Sequence, residues 1–209
     1  MIHQPFDSLI FDMDGTLWDA VDTYCRIWNE TYRRMGVESR VTRPQLIECM
    51  GYPIDRIVTM IAPPDIDRER FYRELARTDD DLMPRLGGRL YPGVERVLPE
   101  LAARYRLFMV SNCGARGLEY FLTYTGLTPW FTDTLSFGQT HLPKEGNIRI
   151  LCERYSLKSP VYIGDTAGDC RSAHAAGIPM IHARYGFGKC SEAEYSIDCF
   201  SDLEPLLLK

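Results

Sequence analysis

Phe11-Asp12-Met13-Asp14-Gly15-Thr16-Leu17 follows directly on the apolar run Ser8 to Phe11. A strand-like segment stops there at two carboxylates one residue apart, followed by glycine. In an open parallel sheet, ligands gather outside the carboxyl ends of the strands. A carboxylate at such a tip can attack phosphorus and form an aspartyl-phosphate. A second acid two residues on can protonate the leaving oxygen and later take a proton from water. Gly15 permits the sharp turn that brings both acids to one place. The bland alternative is a surface Asp-Gly turn. A calcium loop fits poorly, because no oxygen ligands continue at alternate positions and no glutamate closes the loop.

Working outward, further short apolar runs read as strands: Arg106 to Val110, Thr134 to Phe137, Val161 to Ile163, Pro179 to His182 and Tyr195 to Ile197. Several are almost wholly apolar, as strands covered on both faces are. Helical patterns lie between them, at Val94 to Tyr105, Gly117 to Thr125, Ile148 to Tyr155 and Asp169 to Ala176. This alternation predicts an α/β fold with a doubly wound, Rossmann-like parallel sheet.

One segment breaks the alternation. Val21, Tyr24, Trp28, Tyr32 and Met35 recur at spacings of three and four, and Gly36 can end that helix. Arg43 to Met50, Asp55 to Ile61 and Asp67 to Thr78 read as further helices, with Pro63-Pro64 and Gly87-Gly88 as punctuation. The expected organisation is a core formed by residues 1–18 and 90–209, with residues 19–89 as an all-helical insertion after the first strand. Leu90-Tyr91-Pro92-Gly93 returns the chain to the sheet.

Three more strand ends carry groups suited to phosphoryl transfer. Ser111-Asn112 offers a hydroxyl and backbone N–H groups for phosphate oxygens. Lys144, in Pro-Lys-Glu-Gly, supplies a positive charge. Gly164-Asp165-Thr166-Ala167-Gly168-Asp169 offers two carboxylates about a helical turn apart. Singly, these suit a turn cap, a solvated lysine and an acidic helix start. Four successive strand ends with matching chemistry make those bland readings weaker.

In this order and spacing, Asp12-x-Asp14-Gly15-Thr16, Ser111, Lys144 and Gly164-Asp165 to Asp169 resemble the four motifs of the haloacid dehalogenase-like hydrolase superfamily. The helical insertion and Ala173 to Pro179 resemble its subfamily containing phosphoglycolate phosphatase and beta-phosphoglucomutase. The resemblance implies a nucleophile at Asp12 and a general acid/base at Asp14. It implies phosphoryl binding by Ser111, Asn112 and Lys144. It also implies Mg²⁺ held by Asp12, the backbone carbonyl of Asp14 and Asp165, with Asp169 as a further ligand or its anchor. Glu145 stands where the family often has proline. An acid at Asp14 suits phosphomonoesters, whose alkoxide leaving group needs a proton. The expected activity is thus a Mg²⁺-dependent phosphatase acting on a small phosphorylated metabolite. The alternatives are a phosphomutase, which shares Asp-x-Asp, and a catalytically silent regulatory relative, expected to lose Asp12, Asp14 or Lys144. Cys49 to Arg56 resembles the cap loop that enters the site, making Tyr52 and Arg56 candidates for touching the leaving group. An arginine there suits a second anionic group.

The bulk numbers agree. The chain has 209 residues, 45% hydrophobic and 25% charged, ordinary for a globular protein. The formal net charge of -5 and the lack of a basic stripe speak against nucleic acid as a partner. No apolar run approaches the ~20 residues of a membrane span. The seven cysteines form no Cys-x-x-Cys, and the start Met-Ile-His-Gln-Pro does not read as a signal peptide. A cytoplasmic protein, monomer or homodimer, is expected.

Overall fold

In the computed structural model the described residues are 6–208. Residues 1–5, on which the reading of the N-terminus rests, lie outside them. In chain order come β1 (Ser8–Phe11), β2 (Trp18–Asp19), α1 (Val21–Met35), α2 (Arg43–Ile47), α3 (Ile54–Ile61), α4 (Arg68–Leu86) and β3 (Arg89–Leu90). There follow α5 (Val94–Ala102), β4 (Arg106–Ser111), α6 (Gly117–Thr125), β5 (Asp133–Ser136), α7 (Phe137–Thr140) and α8 (Lys144–Arg154). The last are β6 (Pro160–Gly164), α9 (Ala167–Ala175), β7 (Met180–Ala183) and β8 (Tyr195–Ile197).

The expected doubly wound sheet is the observed one. Six parallel strands stand in the order β5-β4-β1-β6-β7-β8. β1 lies between β4 and β6, with Phe11 level with Met109 and Ile163. Alternate side chains of these strands enter different cores, because successive Cβ atoms point to opposite faces. Leu9, Phe11, Met109 and Ile163 pack on one face with Leu98 and Phe121. Ile10, Phe108, Val110 and Tyr162 pack on the other with Ile148 and Ala173. Both faces being buried explains why the strands read as apolar runs. Each such side chain contributes roughly 1.5–3 kcal/mol on burial, so an acid in place of Ile10 would break the sheet's centre.

The helices α1 to α4 form their own apolar cluster, with Trp28, Tyr32, Leu46, Val58 and Phe71 buried. Gly36 ends α1 with φ at 70°, the left-handed conformation glycine adopts at little cost. Asp67 caps α4, accepting a bond of 3.0 Å from the Arg70 N–H. That helix runs eight residues past its expected end at Thr78. The added turns begin with the run Asp79-Asp80-Asp81, which hides apolar periodicity, yet Leu82 and Met83 still pack inward. Their solvent side is held by Arg85 and Arg34, both paired with Asp81.

Two further features differ from expectation. β2 and β3 pair as an antiparallel ribbon where the helical insertion leaves and rejoins the sheet. Two residues each are too few to show a period. The third long strand ends at Ser136 rather than Phe137, because the Ser136 hydroxyl accepts the Gln139 N–H and starts α7. Among the described residues, no helix is long and apolar enough to cross a membrane.

Candidate active site

Parallel pairing brings the four strand tips to one edge of the sheet. Asp12 follows β1 and its N–H donates to the Ile163 carbonyl at 2.8 Å. Ser111 ends β4, Lys144 opens α8, and Asp165 and Asp169 flank the start of α9. Lys144 is only 3% exposed, and its Nζ donates to Asp12 Oδ1 at 2.9 Å and to Asp169 Oδ1 at 2.5 Å. Pro143 sets the turn into α8, and Glu145 accepts a 3.2 Å bond from Ser172 on α9. That bond ties the lysine's helix start to α9 where the family often has proline.

Carboxylate oxygens of Asp12, Asp165 and Asp169 lie within 4.8 Å of one another, all buried. Three carboxylates against one ammonium leave a surplus of two negative charges when all are ionised. Burial, with Asp169 and Asp12 nearby, pushes the Asp165 carboxyl well above its usual range. Burial also raises Asp12, to about 6, although Lys144 opposes it. Asp169 goes the other way. Burial would raise it, but Lys144 and the Thr166 hydrogen bonds hold it low. Lys144 loses by burial and gains more from Asp12 and Asp169, so its ammonium is held well above the ordinary value.

Asp165 shows what this charge surplus is suited to. Its Oδ2 accepts the Phe187 N–H at 2.7 Å, but the buried Oδ1 has no partner. The backbone crowds it: a Cβ on Gly15, where φ is 85°, would lie 2.2 Å from Asp165 Oδ2. A Cβ on Gly186 would lie 2.3 Å from Asp165 Cβ. An unpaired buried acceptor beside two further carboxylates fits a hard divalent cation with oxygen ligands.

Asp14 sits apart from that cluster, facing a cavity of about 450 Å³. Trp18 Nε1–H donates to its Oδ1 at 2.9 Å and the Tyr24 hydroxyl donates at 3.1 Å. Burial and the neighbouring Asp12 charge push Asp14 up to about 7. It therefore carries a proton for a large part of the time at neutral pH. The cavity is lined at one end by Asp12, Asp14, Ser111, Asn112 and Lys144. The Asn112 side chain donates to the Gly51 carbonyl at 2.8 Å, joining the strand tip to the loop before α3. Its Oδ1 is buried without a partner.

Of the two candidates for touching a leaving group, Tyr52 lines the cavity. Arg56 does not; it is exposed and stacks over the Tyr52 ring, 3.8 Å from its centroid. The sequence places Tyr24 on a helix face and singles out neither Trp18 nor Asp79, yet all three line the cavity. No motif marks these three. Cys113, next to Asn112, is pushed up to about 12 by burial, which makes it an inert thiol.

The sequence profile described as haloacid dehalogenase-like hydrolase matches residues 9–183. A phosphoglycolate phosphatase of Aliivibrio fischeri is 29% identical over 195 residues, covering 86% of this chain and 84% of that protein. A phosphoglycolate phosphatase of Vibrio vulnificus is 26% identical over 229 residues, covering 100% of this chain and 99% of that one. The crystal structure of a predicted phosphoglycolate phosphatase from Haemophilus somnus superposes with a TM-score of 0.85 at 21% identity. It covers 98% of this chain and 99% of that chain. That likeness is one of fold.

Proposed function

Since the chain belongs to the haloacid dehalogenase-like hydrolase family, we propose that it is a magnesium-dependent phosphatase of small phosphomonoesters, working through a phosphorylated Asp12. The observation that carries this reading is the Lys144 ammonium bound between Asp12 and Asp169 beside the unpaired Asp165 Oδ1. It is a buried anionic pocket built to take a cation and then a phosphate.

Asp12, the Asp14 backbone carbonyl and Asp165 would hold Mg²⁺, with Asp169 fixing Lys144 and completing the acidic set. When bound, the ion offsets the repulsion between the Asp12 carboxylate and the phosphoryl oxygens. Ser111 and the backbone around Asn112 bind those oxygens, and Lys144 neutralises the transferring group. An Asp12 carboxylate oxygen attacks phosphorus as the bond to the leaving oxygen breaks. Asp14 gives that oxygen its proton. Water then attacks the phosphorus of the acyl phosphate and gives a proton to Asp14, the bond to Asp12 breaks, and inorganic phosphate leaves with Asp12 restored. Trp18 and Tyr24 hold the Asp14 carboxyl in place for both transfers.

Residues 19–89 act as a cap over the leaving group. The Asn112–Gly51 bond is one latch that opens to admit water and release product. The seven free cysteines suit a reducing, cytoplasmic setting.

The test is release of inorganic phosphate from an aryl phosphate with and without magnesium. Turnover that needs magnesium and disappears in Asp12→Asn is expected. Turnover retained by Asp12→Asn contradicts the reading. Phosphate release from a hexose 1-phosphate separates phosphatase from mutase, because a mutase returns the group to sugar.

A further inference from the structure

The cavity has two chemically different ends. The end at the strand tips is polar and holds Lys144. The other, formed mainly by α1 to α4, is aromatic and aliphatic: Trp28, Leu46, Met50, Tyr52, Ile57 and Tyr72. Among the described residues, only two cationic side chains line the cavity, Lys144 and Arg116. Lys144 is committed to Asp12 and Asp169. Arg116 is half exposed and engages Glu119 and Asp80, each at 3.3 Å. Arg56 does not line the cavity and stacks over the Tyr52 ring.

The charge that does face the apolar end is negative. Asp79 lines the cavity from α4, and among the described residues it accepts no hydrogen bond and forms no ion pair within 4 Å. Its neighbour Asp80 is different, since it takes the Tyr120 hydroxyl and Arg116. Burial holds the Asp79 carboxyl up at about 6, with Asp80 adding to the shift and the Arg116 charge opposing it. Asp79 is half-buried, and a carboxylate so placed with no direct hydrogen-bond partner is one that a ligand's donor can satisfy.

We infer that the leaving alcohol of this enzyme is bulky and largely apolar and carries an amine or other hydrogen-bond donor for Asp79, rather than a carboxylate or second phosphate. The inference rests on the phosphatase reading and narrows it. A carboxylate-bearing leaving group such as glycolate would meet Asp79 across the cavity with no free cation to receive it. It would also leave most of the ~450 Å³ unfilled. Aromatic faces favour a cationic amine in the same place.

The probes are three aryl phosphates of similar size: O-phosphotyramine, para-ethylphenyl phosphate and the phosphate ester of para-hydroxyphenylpropionate. On the shared –CH2–CH2– arm the first carries an ammonium, the second a hydrogen and the third a carboxylate. At about pH 8 with magnesium, kcat/KM for the amine ester should exceed that for the carboxylate ester by about tenfold or more, the scale of one charged hydrogen bond. Asp79→Asn should shrink that ratio by ~5-fold or more. Independently of turnover, tyramine should quench the fluorescence of Trp18 and Trp28 at lower concentration than para-hydroxyphenylpropionate. If no ester is hydrolysed, the phosphatase reading fails and the quenching experiment alone decides the inference. Equal or better use of the carboxylate ester, or equal or tighter binding of the carboxylate alcohol, overturns it. So does a tyramine that does not bind.

Discussion

Asp165→Asn should stabilise the metal-free protein while abolishing its response to magnesium. Asp165 is fully buried, its Oδ1 lacks a partner, and two carboxylates flank it. Asparagine can keep the bond from the Phe187 N–H through its carbonyl oxygen and turn its amide N–H groups toward Asp12 and Asp169. Relief of one unsatisfied buried acceptor amounts to roughly 1–3 kcal/mol, or a rise in Tm of about 2–4 °C per kcal/mol for a chain of this size. The sign with pH follows from the raised folded pKa. A raised carboxyl disfavours the folded state once it must ionise, so wild-type stability is intact at about pH 4 and is lost as pH rises. The gap between variant and wild type should therefore be small near pH 4 and widest in alkaline buffer. Thermal denaturation followed by circular dichroism, in chelator and then in magnesium, measures both arms. Wild type at ~100 times its dissociation constant gains about 2.7 kcal/mol from the ion, whereas Asp165→Asn gains little. A variant less stable than wild type in chelator at high pH, or one with an undiminished magnesium response, would refute the charge-surplus argument.

Lys144→Met leaves Asp12 and Asp169 buried without their shared ammonium, so urea denaturation in chelator should show a loss of about 3–5 kcal/mol, together with loss of turnover. With Asp14 near 7, protonation of an alkoxide leaving group should fail as pH rises through that value. Hence kcat/KM for an alkyl phosphate should fall above about pH 7, and that for para-nitrophenyl phosphate, whose leaving group needs no proton, should fall less. Parallel profiles would argue against Asp14 as the acid. Asp79 at about 6 lies above its ordinary 3.8, so ionising it costs the fold ~2–3 kcal/mol as pH rises through 6. Asp79→Asn should raise Tm above that pH and leave it unchanged near pH 4. The groups that interact with Asp79 there are Asp80 on its own helix, Tyr24 on α1, and Cys113, Arg116 and Tyr120 at or near α6. In wild type the preference for an amine ester over a carboxylate ester should grow over the same range.

The parts of the site that could be seen in the sequence share one cause. A strand buried on both faces must be apolar, so the first charged or hydroxyl residue after it marks its tip. Asp12, Ser111 and Asp165 were legible for that reason, and parallel pairing then brought them together. Lys144 was legible only through its place in the order of motifs, since nothing local marks a buried lysine. The residues that shape the far end of the cavity carry no such mark. Asp79 stands first in an acidic run that looks like a solvated helix face, and only the packing of α4 against α1 and α6 turns it inward. The roles of Trp18 and Tyr24 cannot be read locally, because their bonds to Asp14 depend on how α1 leaves the β2–β3 ribbon. That ribbon is itself too short for any period to reveal. Arg56 suggested an anion site by residue type, and the fold leaves it on the surface against Tyr52.

The central claim is that Asp12 carries the phosphoryl group between substrate and water. Rapid acid quench of enzyme mixed with excess aryl phosphate and magnesium, followed by peptide mass spectrometry, tests it directly. The predicted result is the added mass of one phosphoryl group on the peptide containing Asp12, labile to hydroxylamine and missing from Asp12→Asn. Turnover at full rate with no phosphorylated Asp12 peptide at any quench time, or with the group on another residue, would contradict it.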